Sequence, residues 1–263
     1  MQIPILSKVP ELNISKSFMY EWKRLPNKLE VDDNQTHIWK VDLNAERLHD
    51  DCRRILSVDE QLRAERMIIT EKRKRFQSAR SALREILSIY LNQPPESIQF
   101  KYKPNGKPYL FQISQPNSIE FNIAHSENLM VAAFTKCVPV GIDLEINQSV
   151  SSMDWIVKRY YSKDDQIIFR KIPEKDKKSA FLTAWTKNEA YGKAVGNGLA
   201  SPPKMNHFIP GLHRALPNGH CEIVSDGSFW FLRFTPEENF IAAIAIKSLD
   251  KPEPYFWMFS KIP

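Results

Sequence analysis

A long helical pattern followed by several short strand patterns occurs twice in this chain, and few folds accommodate that order of elements. The first is a predicted helix from Val58 to Tyr90 with one buried face, because apolar residues recur at spacings of three and four in its second half: Phe76, Ala79, Leu83, Ile86, Leu87 and Tyr90. A second helical pattern covers Lys177 to Val195, and strand patterns follow each of the two. The order of elements repeats although the residues do not. We therefore predict two related halves that meet near 137–140.

The strand patterns are short and are separated by turn residues, which is typical of antiparallel sheets. They cover 97–102, 107–111, 118–125, 129–136, 138–146, 221–225, 228–234 and 240–246. We expect an α+β fold with an N-terminal half at 1–138 and a C-terminal half at 139–263. Each half would pack a long helix on a small, mainly antiparallel sheet.

The composition is that of a globular protein, with 42% hydrophobic and 26% charged residues. The formal charge of +6 points to an anionic partner, which leaves nucleic acid, a membrane surface, a phosphorylated ligand and an acidic protein open. Three widely spaced cysteines, Cys52, Cys137 and Cys221, suit neither a disulfide framework nor a metal site. No signal peptide and no run of roughly 20 apolar residues is present, so we expect a cytoplasmic protein.

The run VPVGIDLEI alternates apolar and polar residues, which places Asp143 and Glu145 on one face of a strand. Two carboxylates in that arrangement can hold a hard cation such as Mg²⁺, which prefers oxygen ligands and keeps several waters. A solvated face of an edge strand would show the same pattern. The pattern alone leaves both interpretations open.

In the second helix, Trp185, Glu189 and Lys193 are spaced by four and share one face. They form either an ordinary surface ion pair, or a metal ligand or base beside a lysine that neutralises phosphate. The second interpretation requires this helix to pack against the strand that carries Asp143 and Glu145.

Several basic and imidazole side chains precede that strand. His125 follows an apolar strand, where it is either structural or a donor to phosphate. Lys107 follows a glycine turn. The first helix carries the basic residues Lys72, Arg73, Arg80 and Arg84, which form a solvated face or bind nucleic acid or phosphates.

Other common chemistries have no support in the sequence. The GxxxxGK[ST], GxGxxG, GxSxG and HExxH motifs are all missing, and the whole chain has eight glycines. The sequence therefore gives no support for a glycine-rich nucleotide cradle.

Five motifs in order resemble the 4'-phosphopantetheinyl transferases, specifically the surfactin-synthetase-activating type. They are KRKRF with a following arginine, G-K-P, F-N-I-A-H-S, G-I-D-L-E and W-T-K-N-E-A-Y-G-K, within about 71–199. The resemblance implies a pseudo-dimer of two similar α/β halves in one chain, with coenzyme A in the cleft between them. It also implies Mg²⁺ as the metal and an apo acyl, polyketide or peptidyl carrier protein as the partner.

The resemblance assigns roles to individual residues. Asp143, Glu145 and Glu189 match the metal ligands, and Glu189 also matches the proposed base. Lys193 and His125 match residues that act on the phosphates. The remaining coenzyme A contacts are matched by Lys72, Arg80, Lys107, Pro108 and Ser126.

Three positions depart from the family pattern. Asn188 stands where the family usually has lysine before the glutamate, and Lys187 falls on a different helix face. Ala124 replaces a common serine in the F-N-x-S-H run.

The resemblance implies transfer of phosphopantetheine to a carrier-protein serine by a monomer that binds neither nucleic acid nor membranes. The alternatives are an inactive coenzyme A binding module and a basic nucleic-acid-binding protein.

Overall fold

The structure is a computed structural model that describes residues 13–14, 18–25, 29–45, 52–104, 106–111, 118–148, 150, 152–196, 216, 219–225 and 228–259. The helices are Cys52–Ile55 (α1), Val58–Glu65 (α2), Thr70–Leu91 (α3), Met153–Tyr160 (α4), Lys163–Lys171 (α5) and Glu174–Val195 (α6), with a 3-10 turn at Pro95–Ser97. The strands are Asn13–Ile14 (β1), Phe18–Met19 (β2), Gln35–Asp42 (β3), Phe100–Tyr102 (β4), Pro108–Leu110 (β5), Ile119–Ser126 (β6), Leu129–Lys136 (β7), Val140–Ile146 (β8), His220–Ser225 (β9), Trp230–Phe234 (β10), Phe240–Ile246 (β11) and Glu253–Met258 (β12).

One sheet has the strand order β12-β3-β7-β6 and carries α3 on its outer face. The pairs β3·β7 and β6·β7 are antiparallel, whereas β12 runs parallel to β3. Apolar residues of α3, among them Leu83 and Ile86, pack against Trp39, Met130 and Phe134 of the sheet. The i, i+3 spacing read from the sequence is therefore the buried stripe of α3.

The second sheet has the order β1-β9-β10-β11-β8, and β2 also pairs with β9. Its pairs are antiparallel, and α6 covers one face. Ala190 and Ala194 of α6 pack against Phe231, Ala243 and Ala245. Small residues on both sides of this contact let the helix approach the strands closely.

A third core lies between the two sheets. It contains Val131 and Ala133 of β7, and Ile142 and Leu144 of β8. The alternate residues of each strand face the helix on the outside, as the period of two requires. The layers are thus α3, sheet, sheet and α6, which confirms the expected mixed fold of two similar halves.

The predicted helix over Val58 to Tyr90 is wrong at one point, because α2 and α3 are separate. Ile69 precedes α3 in an extended conformation, with φ −81° and ψ 113°. The side chain of Arg73 donates to the carbonyl oxygen of Met67 from Nε at 3.2 Å and from Nη2 at 2.9 Å. A side chain thereby satisfies a carbonyl that the helical ladder leaves unpaired in the break.

Each end of the chain adds strands to the sheet that is formed mainly by the other half. β12, near the C-terminus, pairs with β3 from Glu253↔Gln35 to Met258↔Lys40. β1 and β2, near the N-terminus, pair with β9 of the other sheet. The division of the chain at 138/139 stays a prediction. Among the helices that the structure describes, none is long and apolar enough to cross a membrane.

Candidate active site

Helix α6 crosses strand β8 at Gly141, where no side chain fits. A Cβ atom at this position would overlap the carbonyl oxygen of Ala190 and lie 2.5 Å from the amide nitrogen of Ala194. Because side chains alternate along a strand, Asp143 and Glu145 project from the same face as Gly141. The close crossing therefore brings the acidic face of β8 against α6.

Lys193, in the last turn of α6, contacts the carboxylate of Asp143. Its Nζ donates to Asp143 Oδ1 at 2.7 Å and to the carbonyl oxygen of Ile142 at 3.0 Å. Asp143 is 6% exposed, and its Oδ2 is buried without a hydrogen-bond partner among the described residues. The charge-assisted bond holds Lys193 on one carboxylate oxygen and leaves the other without a donor.

Two further carboxylates, those of Glu145 and Glu189, are half-buried near Asp143. Trp185 Nε1 donates to Glu145 Oε1 at 3.3 Å. Burial and then the charge of Asp143 raise the pKa of Glu145, against smaller lowering effects of Trp185 and Lys193. The same two causes raise the pKa of Glu189, again against Lys193. These three carboxylates repel one another, so a cation bound among them would be stabilised.

Positive charges from both halves converge near His125, at the end of β6. Packing desolvates part of its ring, and this desolvation lowers the pKa of His125. The charges of Lys193, Arg80 and Arg75 lower that pKa further. Since Arg75 and Arg80 belong to α3 and Lys193 to α6, the cationic region spans the two halves. A polyanion placed here would be attracted by groups from each side.

Strands β6 and β8 are joined through side chains. Asn122 Oδ1 accepts from the amide of Ile142 at 2.9 Å, and Ser126 Oγ accepts from the amide of Ile146 at 3.2 Å. These bonds hold the end of β6, and with it His125, beside β8. Asn122 was missed by the sequence analysis, although a polar residue at an alternating buried position of a strand is a usable signal.

Lys107 lies at the junction of β8 and α6. It follows Gly106, which has φ +82° in the turn between β4 and β5. Its Nζ donates to the carbonyl oxygens of Lys193 at 2.7 Å and of Val140 at 3.0 Å. Burial is the main cause that lowers the pKa of Lys107 to about 8. Pro108, the next residue, is buried at the start of β5.

The basic residues of α3 divide into exposed and buried positions. Lys72 is exposed in the first turns, whereas Arg80 is 5% exposed. Arg80 Nε lies 3.8 Å from Glu60 Oε1, and Arg84 Nε donates to Glu60 Oε2 at 2.7 Å. The aromatic rings that Arg80 faces are those of Phe76, Phe100 and Tyr102. Glu60 lies outside the five motifs, so no pattern in the sequence marks its contacts with Arg80 and Arg84.

Lys187 and Asn188 are both buried residues of α6. Lys187 Nζ stands 5.6 Å from the ring centroid of Phe231 on β10. Burial raises the pKa of the Tyr161 hydroxyl, and a hydrogen bond with Asn188 opposes that rise. Lys187 therefore lies on a different face of α6 from Glu189, as its spacing predicts.

Within the described ranges, no three His, Cys, Asp or Glu side chains converge closely enough to hold a metal ion. The carboxylates of Asp143, Glu145 and Glu189 nevertheless supply the oxygen donors that a hard cation takes. A cation would stabilise Asp143 Oδ2 most, because this oxygen is buried and has no hydrogen-bond donor among the described residues. The donor chemistry of these residues therefore suits a divalent cation, although their side chains are not gathered around one point in the described structure.

Two family models match adjacent parts of the chain. Residues 46–137 match the model described as 4'-phosphopantetheinyl transferase, N-terminal. Residues 139–245 match that of the 4'-phosphopantetheinyl transferase superfamily. The two matches meet where the sequence predicts that the halves join.

Named relatives extend the match along most of the chain. The 4'-phosphopantetheinyl transferase HetI of Nostoc sp. is 30% identical over 241 residues, which cover 91% of this chain and 99% of the relative. A putative 4'-phosphopantetheinyl transferase of Synechocystis sp. is 31% identical over 202 residues, or 73% and 79% of the two chains. Sfp of Bacillus subtilis is 28% identical over 144 residues, or 52% and 61%. The chain belongs to the 4'-phosphopantetheinyl transferase superfamily and is a transferase enzyme.

Proposed function

We propose that this enzyme moves the 4'-phosphopantetheine arm of coenzyme A onto a serine of an apo acyl or peptidyl carrier protein, with Mg²⁺ as its metal. The second product is adenosine 3',5'-bisphosphate. One observation carries the proposal: three mutually repelling carboxylates lie beside several cations from both halves, near the crossing of α6 and β8. The names of the relatives support phosphopantetheine as the group transferred.

The cations of the site suit the phosphates of coenzyme A. Lys193 lies at the boundary between the acidic cluster and the cationic region, so it can donate to a pyrophosphate bound there. His125 has a lowered pKa and is therefore neutral near pH 7, where it donates one N–H. Arg80 and Lys72 of α3 would hold the phosphoadenosine end, as the family resemblance implies. The Ser126 hydroxyl would add a donor beside His125.

The carboxylates of Asp143, Glu145 and Glu189 would hold Mg²⁺. Their mutual repulsion and the buried Asp143 Oδ2 support this assignment. When bound, Mg²⁺ neutralises charge on the pyrophosphate oxygens. Lys193 already satisfies Asp143 Oδ1, so the protein balances part of the acidic charge itself.

In the transfer step, the serine oxygen of the carrier forms a bond to the phosphorus on the pantetheine side of coenzyme A. The bond from that phosphorus to the bridging oxygen breaks, and adenosine 3',5'-bisphosphate leaves with the electron pair. Glu189 would accept the serine proton, directly or through a water. Lys193 and His125 would stabilise the charge that develops on the transferred and leaving oxygens.

The enzyme's charge supports an anionic protein partner. A net charge of +6 favours encounter with carrier proteins, and complementary fields raise the association rate more than the affinity. A monomeric cytoplasmic enzyme of the surfactin-synthetase-activating type, serving more than one carrier, remains our expectation.

Product release tests the proposal. Purified enzyme is incubated with coenzyme A and several apo carriers, with Mg²⁺ or with a chelator, and the released nucleotide is quantified by chromatography. We expect one adenosine 3',5'-bisphosphate per carrier modified, lost with chelator and regained when Mg²⁺ is added. Coenzyme A binding without release from any carrier would instead indicate an inactive binding module. Duplex binding with a steep salt dependence, again without release, would indicate a nucleic-acid-binding protein.

A further inference from the structure

The hairpin of β4 and β5 belongs to the N-terminal half but reaches the C-terminal end of α6. Lys107 Nζ donates to the Lys193 carbonyl oxygen at 2.7 Å and to the Val140 carbonyl oxygen at 3.0 Å. Lys103 of the same hairpin lies nearby, with its Nζ 3.6 Å from where a Cβ at Gly196 would be. The hairpin is therefore seated against the last turn of α6.

The two acceptors of Lys107 lie at the ends of their elements. Lys193 is in the last turn of α6, so its carbonyl oxygen has no i+4 partner within the helix. Val140 is the first residue of β8. An ammonium placed between them satisfies both oxygens, and a positive charge is favourable at the C-terminal end of a helix.

The clamped residues are the same ones that build the site. Lys107 holds the backbone of Lys193, while the Lys193 side chain is held on Asp143 Oδ1 and on the Ile142 carbonyl oxygen. Gly141, between the two clamped segments, lets α6 and β8 touch. A shift of the end of α6 would move the ammonium of Lys193 along with its backbone.

We propose that Lys107 is a positioning residue that clamps the end of α6 to the start of β8 and so fixes Lys193 on Asp143. This role differs from the nucleotide contact that the G-K-P motif implies by resemblance. Its kinetic consequence rests on the proposed transfer reaction, whereas the clamp itself is a property of the folded chain.

The test compares Lys107→Gln with Lys101→Gln, a matched control that removes an exposed lysine of β4 from the same hairpin. Three quantities are measured on the full chain. They are hydrogen exchange of the backbone amides at 186–196, the Kd for adenosine 3',5'-bisphosphate by calorimetry, and kcat at saturating coenzyme A and carrier.

For Lys107→Gln we expect exchange at the end of α6 to be about tenfold faster, because the clamped turn opens more often. We expect kcat to fall about tenfold or more because Lys193 is misplaced. The Kd should rise by less than kcat falls, because the contacts that α3 would make with the phosphoadenosine end are kept. Lys101→Gln should leave all three unchanged. Lys107→Arg keeps the charge and several donors, so it should retain slow exchange and most of kcat.

Unchanged exchange and kcat with a Kd raised about tenfold would overturn the proposal and make Lys107 a nucleotide ligand. Faster exchange with wild-type kcat would make it a merely structural residue. If Lys107→Gln does not fold, Lys107→Arg becomes the test variant. Wild-type exchange in Lys107→Arg together with a tenfold weaker Kd would contradict a clamp. Wild-type enzyme that modifies no carrier would refute the proposed function, while faster exchange in Lys107→Gln would still support the clamp.

Discussion

Replacing Gly141 by alanine should separate α6 from β8 and so lower both the stability of the fold and the activity of the site. The new Cβ would lie 2.5 Å from the amide nitrogen of Ala194 and 3.0 Å from the carbonyl carbon of Lys193, whereas ordinary contact begins at 3.4 Å. These are backbone atoms, so no rotamer change relieves the overlap, and α6 must move by about 1 Å. The Lys193–Asp143 bond of 2.7 Å would then exceed hydrogen-bond range.

Overpacking of this kind costs about 1–3 kcal/mol, and a displacement of about 1 Å at a catalytic group costs up to about a hundredfold in kcat. Urea unfolding and steady-state transfer rates measure the two effects separately. Ile142→Val is the control, because the Ile142 side chain faces the core between the sheets. Removing one methylene group there costs about 0.5–1.5 kcal/mol of stability without moving α6. Gly141→Ala with wild-type kcat, or an equal loss of kcat in Ile142→Val, would refute the reasoning.

Three further predictions concern single side chains. Glu189→Gln should lower kcat by about 10²-fold or more with little change in the free energy of unfolding, because it removes the charge and keeps the shape; turnover retained at saturating Mg²⁺ would exclude Glu189 as base and ligand. Lys193→Ala should weaken coenzyme A binding more than carrier binding in separate titrations, and equal effects would contradict its phosphate role. Burial lowers the pKa of His37 from 6.5 to about 4, so the unfolded chain binds the proton more readily and stability is lost as pH falls from 6.5 toward 4. This loss amounts to about 3 kcal/mol in urea unfolding and should vanish in His37→Gln; its persistence would point to another group.

Elements with strong local periodicity were predictable from the sequence. The strand pattern at 129–136 is β7, and the alternation of VPVGIDLEI places Asp143 and Glu145 on one face of β8, as the structure confirms. The pattern from Lys177 to Val195 lies within α6, which begins at Glu174 after Pro173. In each case one face is buried, so the apolar spacing records the secondary structure.

Pairings between distant segments were not predictable. β12 lies parallel to β3, and β1 and β2 join β9, across most of the chain. Sequence periodicity reports which face of a strand is buried but not which neighbour forms its ladder. The break between α2 and α3 was also missed, because no proline or glycine marks it in the sequence.

The candidate site shows the same division between local and non-local information. The face of Glu189 and Lys193 follows from helical spacing, and their approach to Asp143 depends on Gly141, whose role appears only when α6 is packed on β8. The bonds of Asn122 to β8 and of Lys107 to α6 join separate elements. No spacing along the chain encodes these contacts, so the motif alone assigned Lys107 to the nucleotide.

The mass of the carrier protein tests the central claim most directly. The enzyme is incubated with coenzyme A, Mg²⁺ and an apo carrier, beside a carrier whose acceptor serine is replaced by alanine. If the enzyme transfers phosphopantetheine, the intact carrier gains the mass of one arm, chelator prevents the gain, and the alanine carrier stays unchanged. Carriers that keep their apo mass while the enzyme demonstrably binds coenzyme A would contradict the account.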